Sequence, residues 1–279
     1  MHPIARDEYL VINGVRLHYL DWGGSASKVL LLLHGLTSNA HAWTPFIEDG
    51  YVSRDDYRII CLDQRGHGDS DHARDYSVRA FASDIHEFAA TLGLDGYDLA
   101  GHSLGARHAM AYAGDHWRSL RKLVLIDFGP QMARSGAVEV KQRITDRPAG
   151  FSTMEKAIAF MQEMSPDRPA DELARSAPYG LRLNYARRWV WKHDPELQWI
   201  SGAFGVTEVP YLWEQVGKIN CPTLVVRGET SNVLDQETVN RMVDIMPNGS
   251  SVEIAGASHA VPQDRPNEFW AAVNGFLAG

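Results

Sequence analysis

The chain has little of several things, and each shortage removes a class of protein. It holds only two cysteines, Cys61 and Cys221, each beside an apolar run (YRIICL and CPTLVV). Thiols in such company read as packed side chains at strand ends, not as a disulfide framework. No apolar run approaches the ~20 residues needed to cross a bilayer. The opening MHPIARDEYL has no apolar stretch of the signal-peptide kind, so a soluble, cytoplasmic protein is expected. There is no Lys/Arg block either. Lys+Arg number 27 against 35 Asp+Glu, a net charge of −8, and phosphate neutralisation needs clustered cations. Nucleic acid and membrane are therefore excluded as partners. The 12 histidines include no H-x-x-x-H and no C-x-x-C accompanies them, so no metal and no cofactor is expected. His102 and His108 do not share a helical face.

What is present describes one large globular domain. The 279 residues are 44% hydrophobic and 22% charged, and a chain of this length buries about three-quarters of its unfolded surface without a staple. YLVI (9–12) and VRLHYLDWG (15–23) flank Asn13-Gly14, a dipeptide suited to a two-residue hairpin turn. Strongly apolar runs follow at 28–35, 57–66, 96–103, 120–129, 222–229 and 251–259. Such runs fit strands buried on both faces, as in a parallel sheet covered by helices. Between them, 77–94 places Val78, Phe81, Ile85, Phe88 and Leu92 on one helical stripe, with Gly93 suited to the C-terminal end. Residues 104–114 and 269–278 also read as helices. Strand–helix alternation predicts a doubly wound α/β fold.

One stretch breaks this rhythm. Residues 133–212 lose the alternation and carry eight arginines, three lysines and ten acidic residues, so the rest of the chain holds the net negative charge. Trp189, Trp191 and Trp199 also fall here. The expectation is a mostly helical insertion between core parts 1–132 and 213–279, covering the carboxyl edge of the sheet. That edge is where open α/β sheets bind ligands.

The strongest chemical signal is Gly101-His102-Ser103-Leu104-Gly105. The pentapeptide follows an apolar strand and opens a helix, the setting of a nucleophile elbow. The helix start behind Ser103 adds N–H groups and positive potential.

With His34-Gly35 after LLLL, Asp63 to Ser70 (DQRGHGDS), GHSLG and Ser258-His259, the chain resembles the α/β-hydrolase family over nearly its whole length. The resemblance implies a mostly parallel, eight-stranded sheet with a helical cap after the sixth strand. It implies Ser103 as nucleophile, His259 as general base, and an oxyanion hole from the backbone N–H groups of Leu36 and Leu104. His34 reads as an orienting residue of the oxyanion loop, His102 as a pocket wall and His67 as a brace.

The acid is the gap in the pattern. Family members usually carry it in the loop after the seventh strand, where this chain has Ser231 and Asn232. Three carboxylates could substitute: Asp127 at the end of LVLID, Asp235 and Glu229. A carboxylate on a buried strand end is the better orienter, which favours Asp127, a position some family branches use. One such branch hydrolyses small carboxylated amides and esters, including vitamin B6 breakdown intermediates. A guanidinium matches a carboxylate bidentately, and Tyr185 to Lys192 is the densest candidate for that contact, through Arg188 and Trp189. Trp43 could wall the acyl pocket.

The expected activity is hydrolysis of a small carboxylic ester, or an amide, through an acyl-enzyme. Asp-nucleophile dehalogenase and epoxide hydrolase chemistry is excluded by Ser103. Two other readings remain open. A cofactor-free dioxygenase would use His259 and Asp127 as base, and a ligand receptor would bind without turnover. The expected partner is the small substrate, and a homodimer is left open.

Overall fold

The computed structural model describes residues 4–24, 27–166, 168–197 and 207–279, and for 134, 139–141 and 143 the backbone alone. Six strands come first: β1 (Arg6–Ile12), β2 (Val15–Asp21), β3 (Val29–Leu33), β4 (Arg58–Leu62), β5 (Tyr97–His102) and β6 (Leu120–Ile126). Two short strands, β7 (Leu181–Leu183) and β8 (Trp189–Trp191), pair with each other, and β9 (Thr223–Gly228) and β10 (Gly249–Ile254) return to the main sheet. That sheet has eight strands in the order β1-β2-β4-β3-β5-β6-β9-β10. The two contacts made by β2 are antiparallel and the other pairings are parallel. This is the predicted α/β fold, and the insertion leaves after the sixth strand.

The continuous apolar runs are explained by cover on both faces. Leu31, Leu33, Leu123 and Leu125 enter one core cluster, while Leu30, Leu32, Val124 and Ile126 enter the other. Successive side chains of a strand point to opposite faces, so each run must be apolar throughout. Helix Val78–Thr91 buries Val78, Phe81, Ile85 and Phe88. The Ser77 side chain caps its start, and Gly93 follows its end at φ 63°. Asn13 and Gly14 both adopt positive φ, 51° and 76°, as the hairpin requires. Cys61 and Cys221 are buried and unbridged.

Helices make up most of the insertion's regular structure, and a short hairpin that the sequence did not announce follows them. Helices Arg134–Thr145, Met154–Met164 and Ala170–Gly180 are followed by the β7–β8 hairpin. Phe151, Ala157, Ala177 and Leu181 form a small core there, packed by Phe160, Trp189 and Trp191. Alternation over three residues is too short to signal a strand; the hairpin exists because its tryptophans cover the helices. The expected boundary at 212 falls inside helix Val209–Lys218, which packs on the core through the buried Leu212 and Val216. Trp199 lies outside the described residues. The hairpin's exit is tied to the core. Lys192 donates to Asp69 at 2.6 Å and the Asp194 N–H to Gly66 O at 2.7 Å. Among the described residues no helix is long and apolar enough to cross a membrane.

Candidate active site

Parallel strands β3, β5, β6 and β9 end on one edge, and their first loop residues meet there. Ser103 sits between β5 and helix Leu104–His116 at φ 55°, ψ −118°, a strained conformation for a residue with a Cβ. The flanking glycines are required by close approach, not by φ. A Cβ on Gly101 would come within 2.4 Å of Gly105 C, and one on Gly105 within 2.6 Å of Leu33 O. The Ser103 N–H donates to Ile126 O at 2.9 Å, which anchors the turn to β6. Leu104 is the first helical residue, so its N–H has no intrahelical acceptor.

His259 lies in the loop after β10 and joins the two strand ends. Its Nε2 is 2.9 Å from Ser103 Oγ, and its Nδ1 is 2.7 Å from Asp127 Oδ2. Asp127 can only accept there, so Nδ1 carries the proton and Nε2 is free to take one. Asp127 is fully buried at φ 50°. Its Oδ1 accepts the Gly228 N–H at 2.9 Å and its Oδ2 the Ser231 hydroxyl at 2.5 Å. The other two carboxylates are engaged elsewhere. Asp235 caps helix Gln236–Ile245 by accepting the Thr238 N–H at 2.7 Å, and Glu229 accepts the Gly256 N–H at 2.7 Å.

The neighbouring histidines are held by the protein. Gln64 N–H donates to His34 Nε2 at 3.1 Å, so His34 Nδ1 carries the proton and donates to Gly35 O at 2.8 Å. That contact fixes the loop bearing Leu36, and burial pushes the His34 pKa down. His102 donates from Nε2 to His259 O at 2.8 Å. Burial first, and then the nearby His259, lower its pKa to about 4. His67 is buried with Nδ1 3.0 Å from Arg65 O. Asp63 binds the Ala40 N–H at 2.5 Å and the Asp69 N–H at 2.8 Å, and meets His18 Nδ1 at 2.7 Å. His18, Asp63 and Asp69 come within 4.8 Å of one another. Both His18 nitrogens already meet carboxylates, Asp63 and Asp7, and Asp69 meets Lys192. The protein itself balances this cluster.

Ser103 and His259 line a cavity of about 440 Å³. His34, Leu36, Trp43 and His102 are on its wall. Trp43 is also packed edge-on to Trp270 at 6.3 Å. Two predicted contacts are corrected: Arg188 and Trp189 do not line this cavity. Arg188 donates to Gly150 O at 2.6 Å, and Trp189 packs in the small core of the insertion. The hairpin holds them away. The insertion instead contributes Met164, Ser165, Pro166 and Arg168. Arg168 pairs with Glu172, while its Nε is buried without a partner among the described residues. A second chamber of about 270 Å³ adjoins, sharing Ser38, Met164, Arg168 and Gln263 and adding Arg147. Arg168 went unforeseen because it stands among eight arginines; its place in the proline-flanked loop SPDRP, between two helices, was the available signal.

The model of the alpha/beta hydrolase fold matches residues 28–266. The chain belongs to the alpha/beta hydrolase fold family. It is 33% identical over 265 residues to the 3-hydroxybutyrate-oligomer hydrolase of Cupriavidus necator, covering 88% of this chain and 87% of that one. It is 28% identical to the N-formylmaleamate deformylase of Pseudomonas putida, covering 95% and 94%. The crystal structure of an E-2-(acetamidomethylene)succinate hydrolase superposes with a TM-score of 0.88 at 25% identity, covering 99% and 100%. These relatives are hydrolases, which supports hydrolase activity for this member of the family.

Proposed function

We propose that the chain is a serine hydrolase of a small, carboxylate-bearing ester or amide, working through an acyl-enzyme. The observation that carries this reading is the hydrogen-bonded line from Ser103 Oγ through His259 to the buried Asp127, at the wall of a cavity. Ser103 attacks the carbonyl carbon while His259 Nε2 takes its proton. Asp127 holds the imidazole in the Nδ1–H tautomer and stabilises the imidazolium that forms. The N–H groups of Leu36 and Leu104 receive the oxyanion, each contributing about 3 kcal/mol to the barrier's reduction. His259 returns the proton to the leaving group. Water then repeats the cycle on the acyl-serine.

Arg168 supports the acidic substrate. A guanidinium on the cavity wall whose Nε–H has no partner among the described residues suits a carboxylate acceptor. The names of the three relatives described above contain carboxylates: hydroxybutyrate, formylmaleamate and succinate. The insertion's helices and β7–β8 hairpin act in this reading as a cap that selects the substrate.

The test is the initial rate on p-nitrophenyl butyrate and p-nitrophenyl hemisuccinate, wild type beside Ser103→Ala. The expected result is a loss of about 10³-fold or more in the variant and a preference for the hemisuccinate in the wild type. Equal rates in the two proteins would remove Ser103 as nucleophile. Oxygen uptake without ester cleavage would favour the dioxygenase reading.

A further inference from the structure

The loop after β9, where an acid was expected, carries a hydroxyl instead, and that hydroxyl has no freedom. Ser231 Oγ faces two backbone donors, the N–H of Val233 at 3.2 Å and of Leu234 at 3.5 Å. A serine hydroxyl has two acceptor lone pairs and one proton to give. With both acceptor sides facing N–H groups, the proton is directed to Asp127 Oδ2, 2.5 Å away. That same oxygen lies 2.7 Å from His259 Nδ1.

We propose that Ser231 is a positioning residue for the Asp127–His259 pair, fixing the carboxylate rotation that aims the imidazole at Ser103. This rests on the reading of Ser103 as nucleophile. Asp127 is gripped from two sides: Gly228 N–H holds Oδ1, and the Ser231 hydroxyl holds Oδ2 beside the imidazole. Without the hydroxyl, Oδ2 keeps the histidine as its one donor among the described residues, and the carboxylate can swing about its Cβ–Cγ bond. Ser231 is buried and does not line the Ser103 cavity, so it acts through Asp127 and not on substrate. The loop is itself seated by the insertion. Ala133 N–H donates to Val233 O at 3.0 Å, and a Cβ on Gly136 would meet Asn232 O at 2.4 Å. The segment over the cavity and the support of the acid therefore share one loop.

The experiment compares wild type, Ser231→Ala, Ser231→Thr and Ser231→Cys on p-nitrophenyl butyrate. Rates are taken per active site, titrated with a fluorophosphonate, so that loss of folded protein does not enter. Ser231→Ala is expected to lower kcat about tenfold, the worth of one hydrogen bond to a charged group, with KM within about twofold. Ser231→Thr keeps the hydroxyl and should stay within about threefold of wild type. Ser231→Cys, a weak donor of similar shape, takes the place of alanine if that variant does not fold. The exchange Asp127→Ser with Ser231→Asp should turn over at least about tenfold faster than Asp127→Ser alone, because the two side chains are coupled through one contact. Wild-type kcat per site in the alanine or cysteine variant would overturn the proposal. So would a threonine variant that falls as far as alanine. A wild type that resists the fluorophosphonate, or a Ser103→Ala that turns over normally, would instead break the nucleophile reading.

Discussion

Two Asp–His pairs with the same separation stand at the ends of neighbouring parts of one sheet. Asp127 meets His259 at 2.7 Å, and Asp63 meets His18 at 2.7 Å. Both aspartates are buried. What differs is the second ring nitrogen. His259 Nε2 faces the Ser103 hydroxyl and its side chain keeps 27% of its exposure, so it can take and return a proton. His18 is fully buried, with Asp7 at its other nitrogen at 3.1 Å. Two carboxylates on one imidazole require two N–H donors, which makes His18 a cation. Burial alone would lower its pKa, but the hydrogen bond and charge of Asp63 outweigh that, and the net shift is upward. For Asp63, burial pulls upward and the His18 hydrogen bond prevails, so its pKa falls. On the proposed function, the same pair of residues serves proton transfer in one place and loop anchorage in the other. The partner of the second nitrogen decides which.

Exchanging each acid for its amide separates the two roles most sharply. Asp127→Asn should lower kcat by about 10⁴-fold with little change in Tm, read from ester hydrolysis and a thermal melt. Asp63→Asn should do the reverse, costing about 3 kcal/mol in urea unfolding because it removes the buried partner of His18 and leaves it the exposed Asp7 alone. Its kcat per folded molecule should stay within about tenfold. A large kcat loss in both would erase the distinction.

Arg168→Met comes next in size. It should lower kcat/KM for the hemisuccinate by about 10–100-fold and leave the butyrate within about threefold. Equal losses on both esters would assign Arg168 to the architecture of the insertion.

His18→Gln adds a dependence on pH. A raised folded pKa means that the stability His18 contributes is complete below the free histidine value, about 6.5, and fades as pH rises through the raised one. The lowered pKa of Asp63 makes its share fade only as pH falls through that value. The Tm gap between wild type and His18→Gln should therefore be widest between the two and narrow toward alkaline pH. A gap independent of pH would contradict a charged His18. The smallest effect is expected of His102→Phe, which removes the donor to His259 O; kcat should fall about fivefold, the worth of one neutral hydrogen bond.

The same comparison marks what was legible in the sequence. Strands β3, β5 and β6 are apolar on both faces because both faces are covered, so their runs and ends could be read directly. The elbow at Ser103 is readable from its strand-to-helix setting, His259 only through the family resemblance carried by Ser258-His259, and Asp127 is favoured as a carboxylate on a buried strand end. Arg168 and the β7–β8 hairpin depend on how the insertion packs on itself, which no local period encodes. Taking Arg188 and Trp189 as site residues followed the density of arginine and tryptophan, and density does not give direction. His18 sits in the strand segment HYLD as an ordinary alternating residue; only the fold brings Asp63 and Asp7 to its two nitrogens.

The most direct measurement of the central claim is intact-mass and peptide analysis after treatment with a fluorophosphonate, in wild type, Ser103→Ala, Asp127→Asn and Asp63→Asn. The account predicts a single adduct on Ser103 in the wild type and none in Ser103→Ala. It further predicts labelling slowed by orders of magnitude in Asp127→Asn and near wild-type labelling of folded Asp63→Asn. Ester turnover with no adduct on Ser103, or labelling of Asp127→Asn at the wild-type rate, would contradict it.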